Sequence, residues 1–108
     1  MRMLLKAVFD TEASNEVSRS GGAAPAIDQM VEALQPEAFY SFGEDGQRAI
    51  LVVFDMEDPS QLPVVSDPLF MLGKAKVTVT PCMNLDDLKK GIEESAAQMQ
   101  AMQGQSAQ

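Results

Sequence analysis

The sequence predicts one α+β domain built from four strands and three helices, with the strands in an antiparallel sheet. Three observations support this prediction. Segments with apolar residues at every second position alternate with segments whose apolar residues recur every three or four positions. Two strand segments within residues 37–55 are separated only by Gly43-Glu44-Asp45-Gly46, which is typical of a hairpin turn. The apolar residues of this hairpin fall on both of its faces.

The two apolar faces of the hairpin constrain the architecture. One face has Ala38, Tyr40, Phe42, Ala49, Leu51 and Val53, and the other has Phe39, Ile50, Val52 and Phe54. Side chains alternate between the faces of a strand, so a sheet with one solvated face shows polar residues at every second position. Both faces of this sheet therefore need a cover. The helices of a short chain can cover one face, and a second copy of the chain is the simplest cover for the other.

The elements before the hairpin follow from local patterns. Residues 3–9 alternate as a strand does, and residues 10–22 are rich in polar residues and glycine. We expect a loop there, with at most one helical turn near residues 12–17. Apolar residues spaced three or four apart predict a helix over Ala23–Leu34, which Pro36 stops.

The elements after the hairpin are a short helical segment, a strand and a final helix. Residues 58–60, Asp-Pro-Ser, are a helix-start signature, and two later prolines predict a brief, irregular segment that Gly73 ends. Residues 74–81 alternate as a strand. Asn84 is placed to cap the last helix, whose apolar stripe is Leu85, Leu88, Ile92, Ala96 and Met99. The remainder, residues 98–108, lacks a core signal and is expected to fray.

The resulting order, βαββαβ followed by a helix, is that of the ferredoxin-like motif. We therefore predict a single ferredoxin-like domain over residues 1–97 and a frayed or disordered tail over residues 98–108. Helices on one face of its four-stranded sheet leave the other face open. An open apolar face of this size is an association surface. We therefore expect a homodimer, in which the open faces of two sheets cover each other and form a dimeric α/β barrel.

Composition excludes several classes of function. The net charge of −8 and the presence of only eight basic residues disfavour binding to nucleic acid and to anionic membranes. No apolar run reaches the length of a signal peptide or the ~20 residues of a membrane span. A cytoplasmic location is the expectation.

Two residue types limit the chemistry. Cys82 is the single cysteine, so no intrachain disulfide forms, and we expect it to be an inert, small apolar residue. Histidine is absent, which removes the commonest general base and the commonest metal ligand together. We therefore expect no metal and no cofactor.

A family resemblance emerges from motifs along the chain. These are Asn15, Pro36-Glu37-Ala38-Phe39-Tyr40, Gly46-Gln47-Arg48, Asp55, Phe70 and Pro81-Cys82-Met83 followed by Asp86 and Leu88. With them the chain resembles a small bacterial domain family of unknown function within the dimeric α+β-barrel superfamily, over roughly residues 1–94. The resemblance implies the barrel fold and dimerisation. The wider superfamily includes monooxygenases that need no metal or flavin, haem-degrading enzymes, isomerases and stress-response proteins.

Four polar residues are candidates for a ligand site. Tyr40, the only tyrosine, could orient a ligand, or it could be an amphipathic core residue. Arg48 is predicted on the same hairpin face as Glu37, where its planar guanidinium would suit a carboxylate ligand. A structural ion pair of Arg48 with Glu37, Glu12 or Asp55, either within a subunit or across a dimer interface, is the simpler interpretation, and we predict it. Asn15 lies in the predicted loop, where binding residues concentrate. The predicted apolar walls are Phe39, Phe54 and Phe70.

Three functional hypotheses remain open from sequence. The first is a homodimer that binds a small apolar or acidic metabolite and is not an enzyme. The second is a cofactor-independent monooxygenase or isomerase, in which Tyr40 and Glu37 transfer protons. The third is a structural or protein-interaction module with a solidly packed barrel. A cavity with converging polar groups would favour the first two hypotheses over the third.

Overall fold

The computed structural model describes residues 1–106 of the chain. Its elements in order are β1 (Arg2–Val8), α1 (Thr11–Arg19), α2 (Ala23–Leu34), β2 (Ala38–Glu44), β3 (Gln47–Asp55), α3 (Gln61–Gly73), β4 (Lys76–Pro81) and α4 (Leu85–Ser106). The four strands form one sheet in the order β2-β3-β1-β4, and every neighbouring pair is antiparallel. The α+β class and the four-stranded antiparallel sheet predicted from sequence are confirmed.

The hydrophobic core lies between one face of the sheet and the helices, and we call this the covered face. Register places Leu5 of β1 opposite Val52 of β3, and these two side chains and Phe54 are fully buried. Val65 and Leu69 of α3 pack against them from the helical layer. Each such burial contributes roughly 1.5–3 kcal/mol, so the covered face holds the fold together.

The opposite face of the sheet, which we call the open face, is apolar at its centre. Leu51 lies there between Lys6 of β1 and Tyr40 of β2. Tyr40 is 65% exposed and Phe42 is 39% exposed, although both belong to a sheet strand. Lys6 forms an ion pair with Glu44 on this face. The prediction that the hairpin is apolar on both faces therefore describes the folded chain.

Helix α1 corrects the sequence analysis, which predicted a loop over residues 10–22 with no more than one helical turn near residues 12–17. The helix forms because Asp10 caps it: its Oδ2 accepts the backbone N–H of Ala13 at 2.9 Å, and its carbonyl accepts that of Ser14 at 2.9 Å. Glu12 in the first turn favours the helix dipole. The apolar stripe that normally predicts a helix is weak in this segment. The capping residue Asp10 is therefore the stronger indication of a helix in the sequence.

Helix α3 is longer and more regular than the brief segment predicted. It runs for 13 residues with Pro68 inside it. Its start is ordered by an Asx turn, in which the Ser60 backbone N–H donates to Asp58 at 2.8 Å and lowers the pKa of that carboxyl. Packing of Val65 and Leu69 into the core outweighs the local cost of the proline.

Helix α4 begins as predicted, because Asn84 and Asp87 cap it reciprocally. The Asp87 N–H donates to Asn84 Oδ1 at 2.8 Å, and the Asn84 N–H donates to Asp87 Oδ2 at 3.3 Å. The helix continues through residues 98–106, where the sequence predicts a frayed tail; residues 107–108 lie outside the described residues. Gln, Ala and Met favour helix, which accounts for this extension.

The apolar stripe of α4 is exposed along its length. Leu85, Ile92 and Met99 are each 58% or more exposed, so the stripe is not buried within the subunit. At 22 residues the helix is about 33 Å long, and helices in water depend mainly on packing for their stability. None of the helices within residues 1–106 is both long and apolar enough to cross a membrane.

Two helical glycines give a test of this packing. A methyl group on Gly73 would overlap the ring of Phe9, whereas one on Gly91 would meet open space. We expect Gly73→Ala to lower the free energy of unfolding by about 1–3 kcal/mol through overpacking. Gly91→Ala should raise it by roughly 0.5–1 kcal/mol through helix propensity. Urea unfolding of both variants measures the difference, and equal effects would contradict the close contact between Phe9 and α3.

Candidate functional site

A cleft of about 380 Å³ lies between the covered face of the sheet and helices α1, α2 and α3. Its volume falls within the ~300–1,000 Å³ range of small-molecule sites. Most of its wall is apolar: Phe9, Ala26, Ile27, Met30, Leu34, Phe39, Ile50, Val65, Leu69 and Leu72. The polar residues in the lining are Ser14, Ser18, Gln29, Ser41 and Arg48. The cleft thus has the composition of a site for a largely apolar molecule.

Arg48 is the only charged residue among the described residues that line the cleft. It lies near the start of β3, on the covered face, as the alternation of the hairpin predicts. Its position is fixed through the backbone, because the Phe9 N–H donates to the Arg48 carbonyl at 2.9 Å. The Gln47 side chain donates in turn to the Phe9 carbonyl at 3.1 Å. These bonds tie the start of β3 to the segment that leads into α1.

Two neutral side chains of α1 hold the guanidinium of Arg48. Its Nη1 donates to Ser14 Oγ at 2.9 Å and to Asn15 Oδ1 at 2.7 Å. The Ser14 hydroxyl donates to the Thr11 carbonyl at 3.2 Å, so its oxygen is oriented as an acceptor for Arg48. Ser14 is 8% exposed, so its hydrogen bond with Arg48 belongs to the buried contact between α1 and the sheet.

This arrangement leaves one edge of the guanidinium available. A guanidinium has five N–H donors, of which two belong to Nη1. Both Nη1 donors are used by Ser14 and Asn15, and within residues 1–106 no bond is formed by Nε or Nη2 of Arg48. The Nε and Nη2 donors are parallel and match the two oxygens of a carboxylate. The site is therefore equipped to bind a planar anion side-on.

The predicted ion pair of Arg48 does not form within the described subunit, and its alternative, a pair across a dimer interface, stays a prediction. Glu37 pairs with Arg2 at 2.5 Å, and Asp55 pairs with the N-terminal amine of Met1 at 2.7 Å. No salt bridge joins Arg48 to a carboxylate of the described chain, Glu12 included. The reason is positional. Arg2 stands at the beginning of β1, where it can contact Glu37 before β2, whereas Arg48 stands at the other end of the sheet.

Arg2 forms the more extensive ion-pair cluster, away from the cleft. Its guanidinium also contacts Asp87 at 3.2 Å, which links the first turn of α4 to the sheet. Hydrogen bonding to Glu37, and then the charge of Glu37, raise the pKa of Arg2. Cys82 lies beside this cluster, because its N–H donates to the Arg2 carbonyl at 3.1 Å. A cation near Cys82 was not expected from sequence.

The structure brings only part of the predicted site together. Arg48 and Phe39 line the cleft, and Asn15 reaches it through Arg48. Phe54 is buried in the core and does not line the cleft.

Three other predicted site residues lie elsewhere. Tyr40 is on the open face, Glu37 is bound to Arg2, and Phe70 is 47% exposed on α3 outside the cleft lining. Ser14 is the residue that sequence reasoning missed, because its helix was predicted as a loop.

Comparisons with protein-family models and with curated proteins find no relative. No protein-family model matches the chain, and no curated protein is significantly similar to it in sequence. Within residues 1–106 no group of three or more histidine, cysteine, aspartate or glutamate residues is placed to hold a metal ion.

The hydrogen bonds of Arg48 to neutral side chains lead to a prediction about the stability of the fold. Arg48→Leu removes two hydrogen bonds to neutral groups but leaves no carboxylate of the described chain without its partner, so we expect the free energy of unfolding to fall by about 1–2 kcal/mol. Arg2→Leu is the matched control: it deprives Glu37 and Asp87 of their cation and should be the more destabilising change. Chemical denaturation of the two variants tests this order. The reverse order would show that Arg48 stabilises the fold more than the ion pairs of Arg2 do, and would contradict a mainly ligand-binding role for Arg48.

Proposed function

We propose that this protein is a homodimer that binds a small, largely apolar or acidic metabolite in the cleft between its sheet and its helices. The observation that supports the proposal best is the cleft itself, with an apolar wall and a single cation held by neutral groups. Binding sites of small molecules are typically apolar cavities with a few placed polar groups. The predicted cytoplasmic location is part of the proposal and rests on the sequence observations.

Binding is favoured over turnover by the chemistry of the lining. General acid–base catalysis needs a carboxylate, histidine, tyrosine, lysine or cysteine within reach of the substrate. The described lining of the cleft includes none of these residue types. The oxygenase or isomerase hypothesis relied on Tyr40 and Glu37, and neither lines the cleft. We therefore do not propose an enzymatic reaction at this site.

The homodimer is supported by two apolar surfaces that the subunit leaves uncovered, the open face and the stripe of α4. A monomer that exposed both would be prone to association. The strand order and the helical layer on one face fit a ferredoxin-like subunit, with α1 as an additional helix. The resemblance to the dimeric α+β-barrel superfamily adds the expectation that the two open faces meet. We propose that a second copy covers them.

Filling the cleft tests the binding proposal. Ala26 of α2 lines the cleft, and Ala24 of the same helix is exposed outside it. We expect an environment-sensitive apolar dye to bind the wild type, Ala26→Phe to abolish that binding, and Ala24→Phe to leave it intact. Fluorescence titration gives the comparison, with circular dichroism to verify that both variants fold. Dye binding that survives Ala26→Phe would mean that the dye occupies another surface.

Charge placed on the open face tests the dimer. Leu51 lies at the centre of this face, whereas Met71 of α3 is 82% exposed on the helical side. The wild type should sediment as twice the 11.7 kDa chain. Leu51→Glu should yield monomer or unfolded protein, because an unpaired charge in an interface costs several kcal/mol, and Met71→Glu should remain dimeric. A wild type that is monomeric at micromolar concentration would refute the dimer.

A further inference from the structure

We propose that the ligand of the cleft is a monocarboxylic acid with an apolar body, and that the Nε and Nη2 edge of Arg48 binds its carboxylate. The inference rests on the proposed binding function and names the class of ligand. It follows from how Arg48 is held, from what a bound ligand would do to its hydration, and from the charge of the protein.

The first step is the orientation of Arg48. Ser14 and Asn15 both accept from Nη1, so they fix the plane of the guanidinium relative to α1. The amide of Asn15 must present its oxygen to Arg48, because its nitrogen cannot accept a hydrogen bond. The parallel Nε–H and Nη2–H donors form a rigid fork that matches a carboxylate. The protein thus uses neutral groups to orient a cation whose charge they do not neutralise.

The second step is desolvation. Arg48 lines the cleft although the residue is exposed, so a molecule that fills the cleft would displace part of the water around its donors, which include those without a partner within residues 1–106. Covering a charged donor without giving it an acceptor is costly. A purely apolar ligand would incur this cost, and an amine would add charge repulsion. A carboxylate supplies two acceptors and an opposite charge, so its interaction with Arg48 offsets the desolvation of the guanidinium.

The third step limits the charge and the size of the anionic group. One cation lines the cleft, and the protein as a whole has a net charge of −8. A phosphate dianion would meet a single guanidinium in a repulsive overall field, whereas a monoanion is balanced by Arg48 alone. Beyond Arg48 the described lining is mainly alkyl and aromatic. The remainder of the ligand is therefore apolar.

The test compares decanoic acid with decan-1-ol by isothermal titration calorimetry at neutral pH. The two probes share a chain and differ in the group that Arg48 would contact. We expect decanoate to bind the wild type at least tenfold more tightly than decanol, since a charged hydrogen bond is worth one or more factors of ten. Arg48→Leu should remove this preference by weakening decanoate and sparing decanol. Arg48→Lys should restore it only in part, because lysine lacks the fork.

Matched controls make each outcome informative. Arg19 forms an exposed ion pair with Glu16 on α1, so Arg19→Leu removes one positive charge without touching the cleft and should leave both affinities unchanged. Decanol that binds the wild type as tightly as decanoate, or a decanoate affinity that survives Arg48→Leu, would overturn the inference and leave the apolar binding function standing. Failure of both probes to bind the wild type would overturn the binding function and the inference together.

Discussion

The structure depends on one constraint: β3, a central strand of the sheet, is apolar on both of its faces. Leu5 and Val52 point to the covered face, while Leu51 points to the opposite face of the same sheet. Burial on the covered face provides the driving force for folding, and it fixes where the helices can lie. The open face then becomes a surface that the subunit cannot cover. Folding and the dimer that we propose are in this way two consequences of one pattern of alternation.

The cleft is a consequence of how the helical layer meets the covered face. Helix α3 packs on the core through the buried Val65 and Leu69, whereas α2 contacts it only through the partly buried Met30 and Leu34 and lines the cleft. The capping of α1 by Asp10 places Ser14 against Arg48, so a local backbone interaction determines the geometry of the proposed site. The function we propose therefore depends on a short helix more than on the core.

The sequence predicted the features that depend on near neighbours. Alternation in the hairpin placed Arg48 and Phe39 on one face and Tyr40 on the other, as the structure has them. The partners of Arg48 were not predictable, because they belong to α1. The buried residue of this helix is a serine, so the helix lacks the apolar stripe from which a packed helix is usually predicted. Glu37 was one of three carboxylates predicted as partners of Arg48 because it lies on the same face, and it pairs with Arg2 instead.

The most direct measurement of this account is a crystal structure of the protein grown with decanoic acid. The account predicts one ligand in each cleft, with its carboxylate oxygens about 2.7–2.9 Å from Nε and Nη2 of Arg48 and its chain against Phe39 and Ile50. It would be contradicted by an empty cleft, by a ligand whose carboxylate faces solvent, or by an Arg48 that pairs with a carboxylate of its own chain.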